Sequence, residues 1–166
     1  MKIRTLKKYV SLFLVNKIYA GVKHFEKKRK LLNSIGYEIG EDSKIVGPID
    51  NTGKLTVGKN CWIGKNLTIH GNGEVIIGDN CDIAPDVMFL TGGHKIGDSF
   101  RRAGEGEKYS IRIGNGVWIG ARSTVSGNVQ IGNGSVVAAC ACVTKGIEEN
   151  KLVGGVPAKV IRALDD

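Results

Sequence analysis

An apolar residue recurs at every sixth position over most of this chain of 166 residues. The N-terminal part of the series runs from Ile39 to Phe89, with a lapse at Asn51 and a two-residue slip within 71–74. The fourth residue after each member is usually small or aliphatic. Self-similarity of this kind indicates a repeat protein. The C-terminal part of the series is unbroken and consists of Ile113, Ile119, Val125, Ile131, Val137 and Val143.

A period of six residues restricts the backbone to few conformations. It matches neither the 3.6-residue period of an α-helix nor the two-residue alternation of a strand. A short strand followed by a tight turn fits it, with one aliphatic side chain pointing inward and Gly or Asn in the turn. Three such units form a triangular coil, and coils stack in parallel. The 24 glycines beside only 3 prolines agree with many tight turns. We therefore predict an all-β solenoid of about five coils over residues 39–150.

The net charge of +8 is concentrated at one end of the chain. Residues 1–30 contain ten basic residues and one acid, Glu26, whereas residues 31–166 contain 14 basic and 15 acidic residues. A nucleic-acid-binding protein needs basic residues on its folded binding face, so we expect no nucleic-acid partner. Apolar residues at three- and four-residue steps predict a basic amphipathic helix within segment 1–38. They are Leu6, Val10, Phe13, Leu14, Ile18, Val22 and Phe25.

Two features bear on the cellular compartment. The apolar run 9–15 is too short for a membrane span and is broken by Asn16 and Lys17, so we expect neither a transmembrane helix nor a cleaved signal peptide. The four cysteines form no metal-binding spacing with the histidines, which favours free thiols, no bound metal and a cytoplasmic protein. Cys61 and Cys81 lie one coil plus the slip apart, so we expect them to stack in the core.

One segment interrupts the repeat. Between Phe89 and Ile113 lie 24 positions where six would continue the pattern, so about 18 residues project as a loop, which we assign to 90–112. Long insertions in regular folds are typically functional. This loop contains His94, which makes it the candidate site. Residues 151–166 are assigned to a C-terminal tail.

Three stretches resemble the hexapeptide-repeat acyltransferases, the left-handed parallel β-helix family, and within it the galactoside, maltose and capsular-sugar O-acetyltransferases. They are residues 77–94, which run from I-G-D-N-C-D-I-A-P into T-G-G-H, residues 113–120, I-G-N-G-V-W-I-G, and residues 137–162, from V-A-A-C-A-C-V-T-K to V-P-A-K-V-I-R. The resemblance implies a left-handed parallel β-helix with an N-terminal α-helix and a short C-terminal tail. It also implies acetyl-CoA as the donor and a homotrimer with active sites between neighbouring subunits.

The resemblance also implies roles for individual residues. His94 matches the family's catalytic histidine, and imidazole is suited to take a proton from a sugar hydroxyl near neutral pH. It would then protonate the departing thiolate, without a covalent enzyme intermediate. The backbone amide of Ala121 matches the position that binds the oxyanion. Glu107 is the candidate to hold the second imidazole nitrogen, and His70 and Trp118 are candidate acceptor-binding residues.

Coenzyme A is expected to lie along the C-terminal coils. Small residues there would let the pantetheine arm approach the backbone, and basic side chains suit its phosphates. Lys159 stands where relatives often carry Arg, and lysine cannot make the same bidentate contact. The positions that match the family's contacts are Ala121, Ala139, Thr144, Lys145, Gly155, Lys159 and Arg162.

The sequence departs from the galactoside and maltose relatives in the region that binds the acceptor. Their N-terminal acceptor-binding segment has no counterpart in residues 1–38, and their acceptor-contacting Asn aligns with Gly64. We therefore expect O-acetylation of a sugar that is a building block of a surface polysaccharide, a capsule or a lipopolysaccharide, rather than of a free galactoside or maltose.

Other functions stay open at this stage. N-acetylation of a nucleotide amino sugar, or acetylation of an antibiotic, would use the same fold and donor. A zinc hydrolyase needs three converging histidines, and the three in the chain are His24, His70 and His94, with His24 outside the solenoid. A non-catalytic scaffold would not need the loop with T-G-G-H. For residues 1–30, contact with anionic lipid at the inner face of the membrane and packing on the solenoid or a neighbouring subunit both stay open.

Overall fold

The computed structural model describes residues 3–165 as a helical segment followed by a parallel β-solenoid of about six turns. Met1 and Lys2 of the predicted N-terminal segment and Asp166 of the predicted tail lie outside the described residues. The predicted architecture, a parallel β-helix with a helical N-terminus, is therefore confirmed.

The N-terminal segment forms two helices rather than one. Helix α1 spans Ile3–Phe13 and continues as a π-helical turn over Leu14–Ile18, and helix α2 spans Phe25–Asn33. The break between them contains Gly21, with φ of 101°, and His24, with φ of 57°. Left-handed backbone of this kind ends a right-handed helix, so the predicted amphipathic pattern does not continue as a single helix to Phe25.

The strands are short, as a six-residue period requires. They are β1 Glu38–Ile39, β2 Lys44–Ile45, β3 Ile49–Asn51, β4 Lys54–Val57, β5 Trp62–Ile63, β6 Leu67–His70, β7 Glu74–Ile77, β8 Asp82–Ile83, β9 Met88–Leu90, β10 Gly92–Ile96, β11 Ala103–Lys108, β12 Ser110–Ile113, β13 Trp118–Ile119, β14 Thr124–Ser126, β15 Gln130–Ile131, β16 Val136–Val137, β17 Cys142–Val143, β18 Lys151–Gly154 and β19 Lys159–Ala163.

The solenoid has three faces, each a parallel sheet. The first face has the order β1-β4-β7-β12-β15, the second β2-β5-β8-β13-β16-β18, and the third β3-β6-β9-β14-β17. Strand β19 pairs antiparallel with β18 and closes the second face. The count of about five coils is too low, because β18 pairs in parallel with β16 and Ile147 bridges to Ile131. These pairings add a further turn that uses part of the segment predicted as a tail.

The strand register follows the repeat along the first face. Ile39 pairs with Val57 and Ile113 pairs with Ile131, and in both pairs the partner is 18 residues later. Val57 pairs with Ile77, which is 20 residues later, so the two-residue slip is confirmed. Ile77 pairs with Ile113, which is 36 residues later, so 18 residues are inserted between the third and fourth coils.

The interior of the solenoid is a column of aliphatic side chains. The hexad residues and most residues four places after them are buried. Cys61 and Cys81 are both buried free thiols, and the Cys81 N–H lies 3.4 Å from the Cys61 sulfur. The predicted stacking of these two cysteines in the core is confirmed.

The helical segment covers the open N-terminal end of the solenoid. The Asn33 side chain accepts from the Ile39 N–H (2.8 Å) and donates to its carbonyl (3.0 Å) in β1. Asn16 makes the same pair of hydrogen bonds with Ile49 in β3, at 2.9 and 2.8 Å. Lys28 donates to the carbonyl that follows β2. Each strand of the first coil thus receives partners for edge groups that would otherwise be unpaired.

Candidate active site

The inserted segment is a β-hairpin that projects from the corner between the third and first faces. Strands β10 and β11 pair antiparallel, with His94 opposite Gly106. The base of the hairpin is fixed by two backbone hydrogen bonds, from the Thr91 N–H to the His70 carbonyl (2.8 Å) and from the Tyr109 N–H to the Thr91 carbonyl (2.9 Å). Of the predicted loop 90–112, both ends belong to solenoid strands β9 and β12, and the hairpin occupies the middle.

The two glycines of the T-G-G-H stretch allow close packing at this base. A Cβ atom on Gly93 would lie 2.9 Å from ring atoms Cε2 and Cζ of Tyr109 and nearer still to its hydroxyl. A Cβ on Gly92 would lie 3.3 Å from the Cα of Gly71 in the preceding coil. Glycine at these positions therefore lets the strand that carries His94 lie flat on its neighbours.

The imidazole of His94 has one nitrogen committed to the protein. Its Nδ1 lies 2.8 Å from the carbonyl oxygen of Gly104 on the opposite strand of the hairpin. A carbonyl oxygen only accepts, so Nδ1 carries the hydrogen, and in the neutral imidazole Nε2 then has the lone pair. The side chain is exposed, so Nε2 can reach an incoming hydroxyl.

The prediction that Glu107 holds the second nitrogen of His94 is wrong, because Gly104 does so. The Glu107 carboxylate accepts a hydrogen bond from the hydroxyl of Tyr109 at 3.2 Å. Desolvation raises the pKa of Tyr109, and the negative charge of Glu107 raises it further. Tyr109 therefore stays a neutral hydrogen-bond donor and fixes the Glu107 side chain beside the site.

His94 and Glu107 line a groove of about 500 Å³ at this corner. Thr52, Asn72 and Lys108 also line it and add a hydroxyl, an amide and an ammonium group. Groups of these types pair with the hydroxyls of a polyol. The sequence did not single out Thr52 and Asn72, because they come from earlier coils and no motif marks them.

Neither His70 nor Trp118 lines the groove that contains His94. His70 ends β6 with an exposed side chain, and its carbonyl holds Thr91. Trp118 is exposed on the second face, where it lines a separate depression of about 380 Å³ with Trp62 and Asp82. The sequence did not single out Trp62 as a neighbour of Trp118, because only the stacking of the coils brings the two residues together.

Three of the predicted coenzyme A positions lie at another corner of the solenoid, between the second and third faces, in its last three coils. Ala121, Ala139 and Gly155 follow strands β13, β16 and β18, which are neighbours in the second face. The coils are closely stacked here, since the Cys140 N–H donates to the Ala121 carbonyl at 2.9 Å. Within the described residues the Ala121 N–H donates to no backbone acceptor, whereas the Ala121 carbonyl accepts from the Cys140 N–H. This N–H is therefore free to bind an oxyanion.

Of the remaining predicted coenzyme A residues, Thr144 and Lys145 lie at the corner between the third and first faces, whereas Lys159 and Arg162 lie at the edge of the second face. Thr144 and Lys145 follow β17 and are exposed. Lys159 and Arg162 lie on β19, where they pair with Gly154 and Leu152 of β18, and both are exposed. Three positive charges thus border the last coil. No carboxylate is recorded in a salt bridge with any of them among residues 3–165.

His94 and Ala121 lie at different corners of the triangular solenoid. The hairpin leaves the corner between the third and first faces, whereas Ala121 lies at the corner between the second and third. One side of the triangle, about six residues at 3.3 Å each, separates these corners by roughly 20 Å. A single chain therefore does not place its own His94 beside its own Ala121.

Among residues 3–165 there is no group of three or more His, Cys, Asp or Glu side chains that could hold a metal ion. None of the helices in that range has the length and apolar character needed to cross a bilayer.

Two segments match models of known families. Residues 110–145 match the bacterial transferase hexapeptide (six repeats), and residues 54–84 match the hexapeptide repeat of succinyl-transferase. Both segments lie within the solenoid.

Relatives match over most of the chain. Galactoside O-acetyltransferase of Escherichia coli K12 is 36% identical over 143 residues, which cover 85% of this chain and 70% of the relative. A structure of galactoside acetyltransferase in complex with coenzyme A has a TM-score of 0.82 at 30% identity, covering 98% of this chain and 82% of that one. A second structure is that of a hexapeptide-repeat-containing acetyltransferase from Vibrio cholerae O1 biovar eltor, complexed with acetyl coenzyme A. It has a TM-score of 0.82 at 27% identity and covers 98% of this chain and 87% of that one.

Proposed function

The chain belongs to the hexapeptide-repeat acyltransferase family, and we propose that it transfers the acetyl group of acetyl-CoA to a hydroxyl of a sugar. Its relatives are named acetyltransferases and their structures hold coenzyme A or acetyl coenzyme A, so it is an acetyltransferase with acetyl-CoA as donor. The sugar acceptor is the proposal. It is supported by the galactosides named for relatives and by the polar side chains that line the groove at His94.

His94 acts as the general base in this proposal, and its contact with Gly104 is the observation that carries it. With Nδ1 held at 2.8 Å from the Gly104 carbonyl, Nε2 accepts the proton of the sugar hydroxyl as that oxygen attacks the thioester carbonyl. The tetrahedral intermediate then collapses, the C–S bond breaks, and the proton passes from Nε2 to the coenzyme A thiolate. The products are an O-acetyl sugar and free coenzyme A, with no covalent enzyme intermediate.

The oxyanion of the intermediate is stabilised by the Ala121 N–H. This group has no backbone acceptor among the described residues and lies in a tightly stacked corner, so it is already oriented before the reaction. A fixed donor of this kind typically contributes 10²–10³-fold to the rate.

Lys145, Lys159 and Arg162 are suited to the phosphates of coenzyme A. Arg162 can make a bidentate contact, whereas the two lysines act as point charges. Ala121 and Ala139 carry no side chain beyond Cβ, which leaves room for the pantetheine arm beside the backbone of this corner. Thr144 and Gly155 border the same end of the solenoid.

The active site is completed by a second copy of the chain, in a homotrimer. The supporting argument is the separation of roughly 20 Å between the corner of His94 and the corner of Ala121 in one chain. Three triangular solenoids side by side place one corner of each copy against a different corner of its neighbour, in a closed ring. The groove at His94 then faces the coenzyme A corner and Trp118 of the adjacent subunit.

The acceptor is proposed to be a building block of a surface glycan, such as a capsular or lipopolysaccharide sugar. The groove walls bear an amide, a carboxylate and an ammonium group, which can form hydrogen bonds with the hydroxyls of such a sugar. His70 lies at the same corner and is a further candidate for contact with a large acceptor.

Acetyl transfer from acetyl-CoA to a panel of sugars with free hydroxyls or free amines tests the proposal. We expect ester products, and we expect His94→Ala to lower kcat by about 10²–10⁴-fold. His24→Asn is the matched control, because it removes an exposed histidine far from the groove and Asn tolerates the left-handed backbone found there. Amide products would refute the hydroxyl acceptor, and a fully active His94→Ala would refute the catalytic role of His94.

A further inference from the structure

Helix α1 turns its apolar side away from the solenoid. Leu6, Val10 and Phe13 share one face of the helix and are 50%, 49% and 56% exposed. The opposite face packs on the protein and contains Ser11, 3% exposed, and Val15, 0% exposed. The helix therefore buries a serine while it exposes three large apolar side chains. We refer to the exposed stripe of Leu6, Tyr9, Val10 and Phe13 as the outer face.

The segment that carries the outer face is strongly basic. Residues 3–25 contain no acidic residue. Lys7, Lys8 and Lys17 are exposed, and so are the apolar Ile18 and Val22 that follow the helix. The basic residues of this segment are Arg4, Lys7, Lys8, Lys17 and Lys23.

We propose that the outer face docks on an anionic lipid bilayer. Its apolar side chains insert at the boundary between headgroups and acyl chains, and the lysines contact lipid phosphates. A helix with one apolar face and a basic polar remainder binds membranes in this way, and each basic residue near the surface raises the partition coefficient about fivefold.

Charge distinguishes a lipid surface from a second copy of the chain as the occupant. Residues 31–166 carry 14 basic and 15 acidic residues, so the rest of the chain offers no excess of negative charge to match segment 3–25. An anionic bilayer supplies both the negative surface and the apolar interior that the outer face requires.

The helix is held in place before it meets a membrane. Asn16 binds both backbone groups of Ile49, and Val15 is buried in the core, so the segment after α1 is fixed to the first coil. A preformed face loses little conformational entropy on binding. The inference does not depend on the identity of the acceptor.

Co-sedimentation of the full chain with vesicles tests the proposal. The probes are vesicles of phosphatidylcholine alone and of phosphatidylcholine with about one third phosphatidylglycerol. We expect the protein to sediment with the anionic vesicles and to stay in the supernatant with the neutral ones. Added salt should reduce sedimentation, because it screens the lysines.

Substitutions on the outer face separate insertion from non-specific adhesion. The triple variant Leu6→Gln, Val10→Gln and Phe13→Gln keeps good helix formers at exposed positions and should lose sedimentation at least tenfold. The matched control Ile96→Gln with Phe100→Gln removes equally exposed apolar side chains from the tip of the hairpin and should sediment like the wild type. Circular dichroism and the thermal midpoint establish that each variant is folded.

Charge reversals test the electrostatic part. Lys7→Glu with Lys17→Glu should weaken binding by about 25-fold or more, since two favourable contacts are replaced by repulsion. Lys44→Glu with Lys65→Glu makes the same change in net charge on exposed positions of the solenoid and should have little effect.

Three outcomes would overturn the proposal. The wild type could remain in the supernatant with anionic vesicles, or the triple variant could sediment as well as the wild type. Light scattering could also show that the triple variant has a smaller oligomer than the wild type, which would make the outer face a contact between copies. The acetyl-transfer assay uses the wild type without vesicles, so failure of membrane binding is distinguishable from failure of the proposed function.

Discussion

His94 is exposed at the rim of its groove, yet its ring is oriented by a single contact with the Gly104 carbonyl. The T-G-G-H stretch and its place in an insertion were enough to predict this histidine from the sequence. Its partner could not be predicted, because a backbone carbonyl has no signature in the sequence and depends on hairpin register. Glu107 was a carboxylate of the same loop with suitable chemistry, and it accepts a hydrogen bond from Tyr109 instead.

The variant Glu107→Gln tests this assignment of partners. The amide oxygen of Gln can still accept from Tyr109, and Gly104 still holds Nδ1 of His94. We therefore expect kcat/KM to stay within about tenfold of the wild type, far from the 10²–10⁴-fold loss expected for a missing base. Steady-state kinetics with one acceptor measures kcat/KM for the Glu107→Gln and His94→Ala variants. A loss from Glu107→Gln as large as that from His94→Ala would show that the carboxylate is essential.

At the scale of elements, the repeat alone predicted the solenoid, since a six-residue period has few structural solutions. The length of the insertion was also correct, but its strands were not predicted. Strands β10 and β11 are rich in Gly and charged residues and lack the alternation that marks a half-buried strand. The break between α1 and α2 was missed for a similar reason, because left-handed backbone at His24 has no periodic signal.

The packing of the hairpin on Tyr109 predicts a sensitive position. Gly93→Ala would place a Cβ atom within 2.9 Å of the Tyr109 ring, so the strand that carries His94 must shift. A displacement of about 1 Å can lower the rate about 10²-fold. We expect such a loss in kcat with an almost unchanged thermal midpoint, because the hairpin lies outside the core.

Gly106→Ala is the matched comparison for Gly93→Ala. A Cβ atom at Gly106, directly opposite His94, meets nothing within 4 Å. Its effect on kcat should be much smaller than that of Gly93→Ala. Equal losses from the two alanine variants would mean that glycine flexibility, rather than contact with Tyr109, matters in this hairpin.

The contact between the helical segment and the first coil predicts a pH dependence of stability. Lys28 is buried and donates to the carbonyls of Gly21 (2.6 Å) and Val46 (3.0 Å), and burial lowers its pKa from 10.5 to about 8. Between these two pH values the unfolded chain binds more protons than the folded one. The free energy of unfolding therefore rises with pH across this window, by at most about 1.4 kcal/mol per pH unit.

Urea unfolding of the wild type and of Lys28→Met measures this effect. Methionine has a similar length but does not titrate, so the difference between the two proteins isolates Lys28. We expect the wild type to gain stability relative to Lys28→Met as the pH rises from about 8 to 10.5. If the free energies of unfolding of the two proteins changed in parallel with pH, the lowered pKa of Lys28 at this contact would be contradicted.

At the scale of the whole molecule, the chain separates its tasks along its length. The solenoid is nearly neutral and carries the residues for acetyl transfer, whereas the basic residues gather on the helices that cover its first coil. The sequence showed this asymmetry of charge, but not that the apolar side of α1 points outward. Amphipathicity predicts a buried face without saying whether protein or lipid buries it. Removal of residues 1–30 would also remove Asn16 and Lys28, so point variants are the better probes of this segment.

The division of the active site between two copies is the central claim, and mixed oligomers test it most directly. His94→Ala removes the base, and Ala139→Trp fills the exposed corner proposed for coenzyme A. Each variant alone should be almost inactive. If every site combines His94 of one subunit with the corner of the next, random mixing of the co-expressed variants leaves about one site in four with both parts intact. We therefore expect the mixture to recover about one quarter of wild-type activity, whereas activity no higher than that of the separate variants would contradict a shared site.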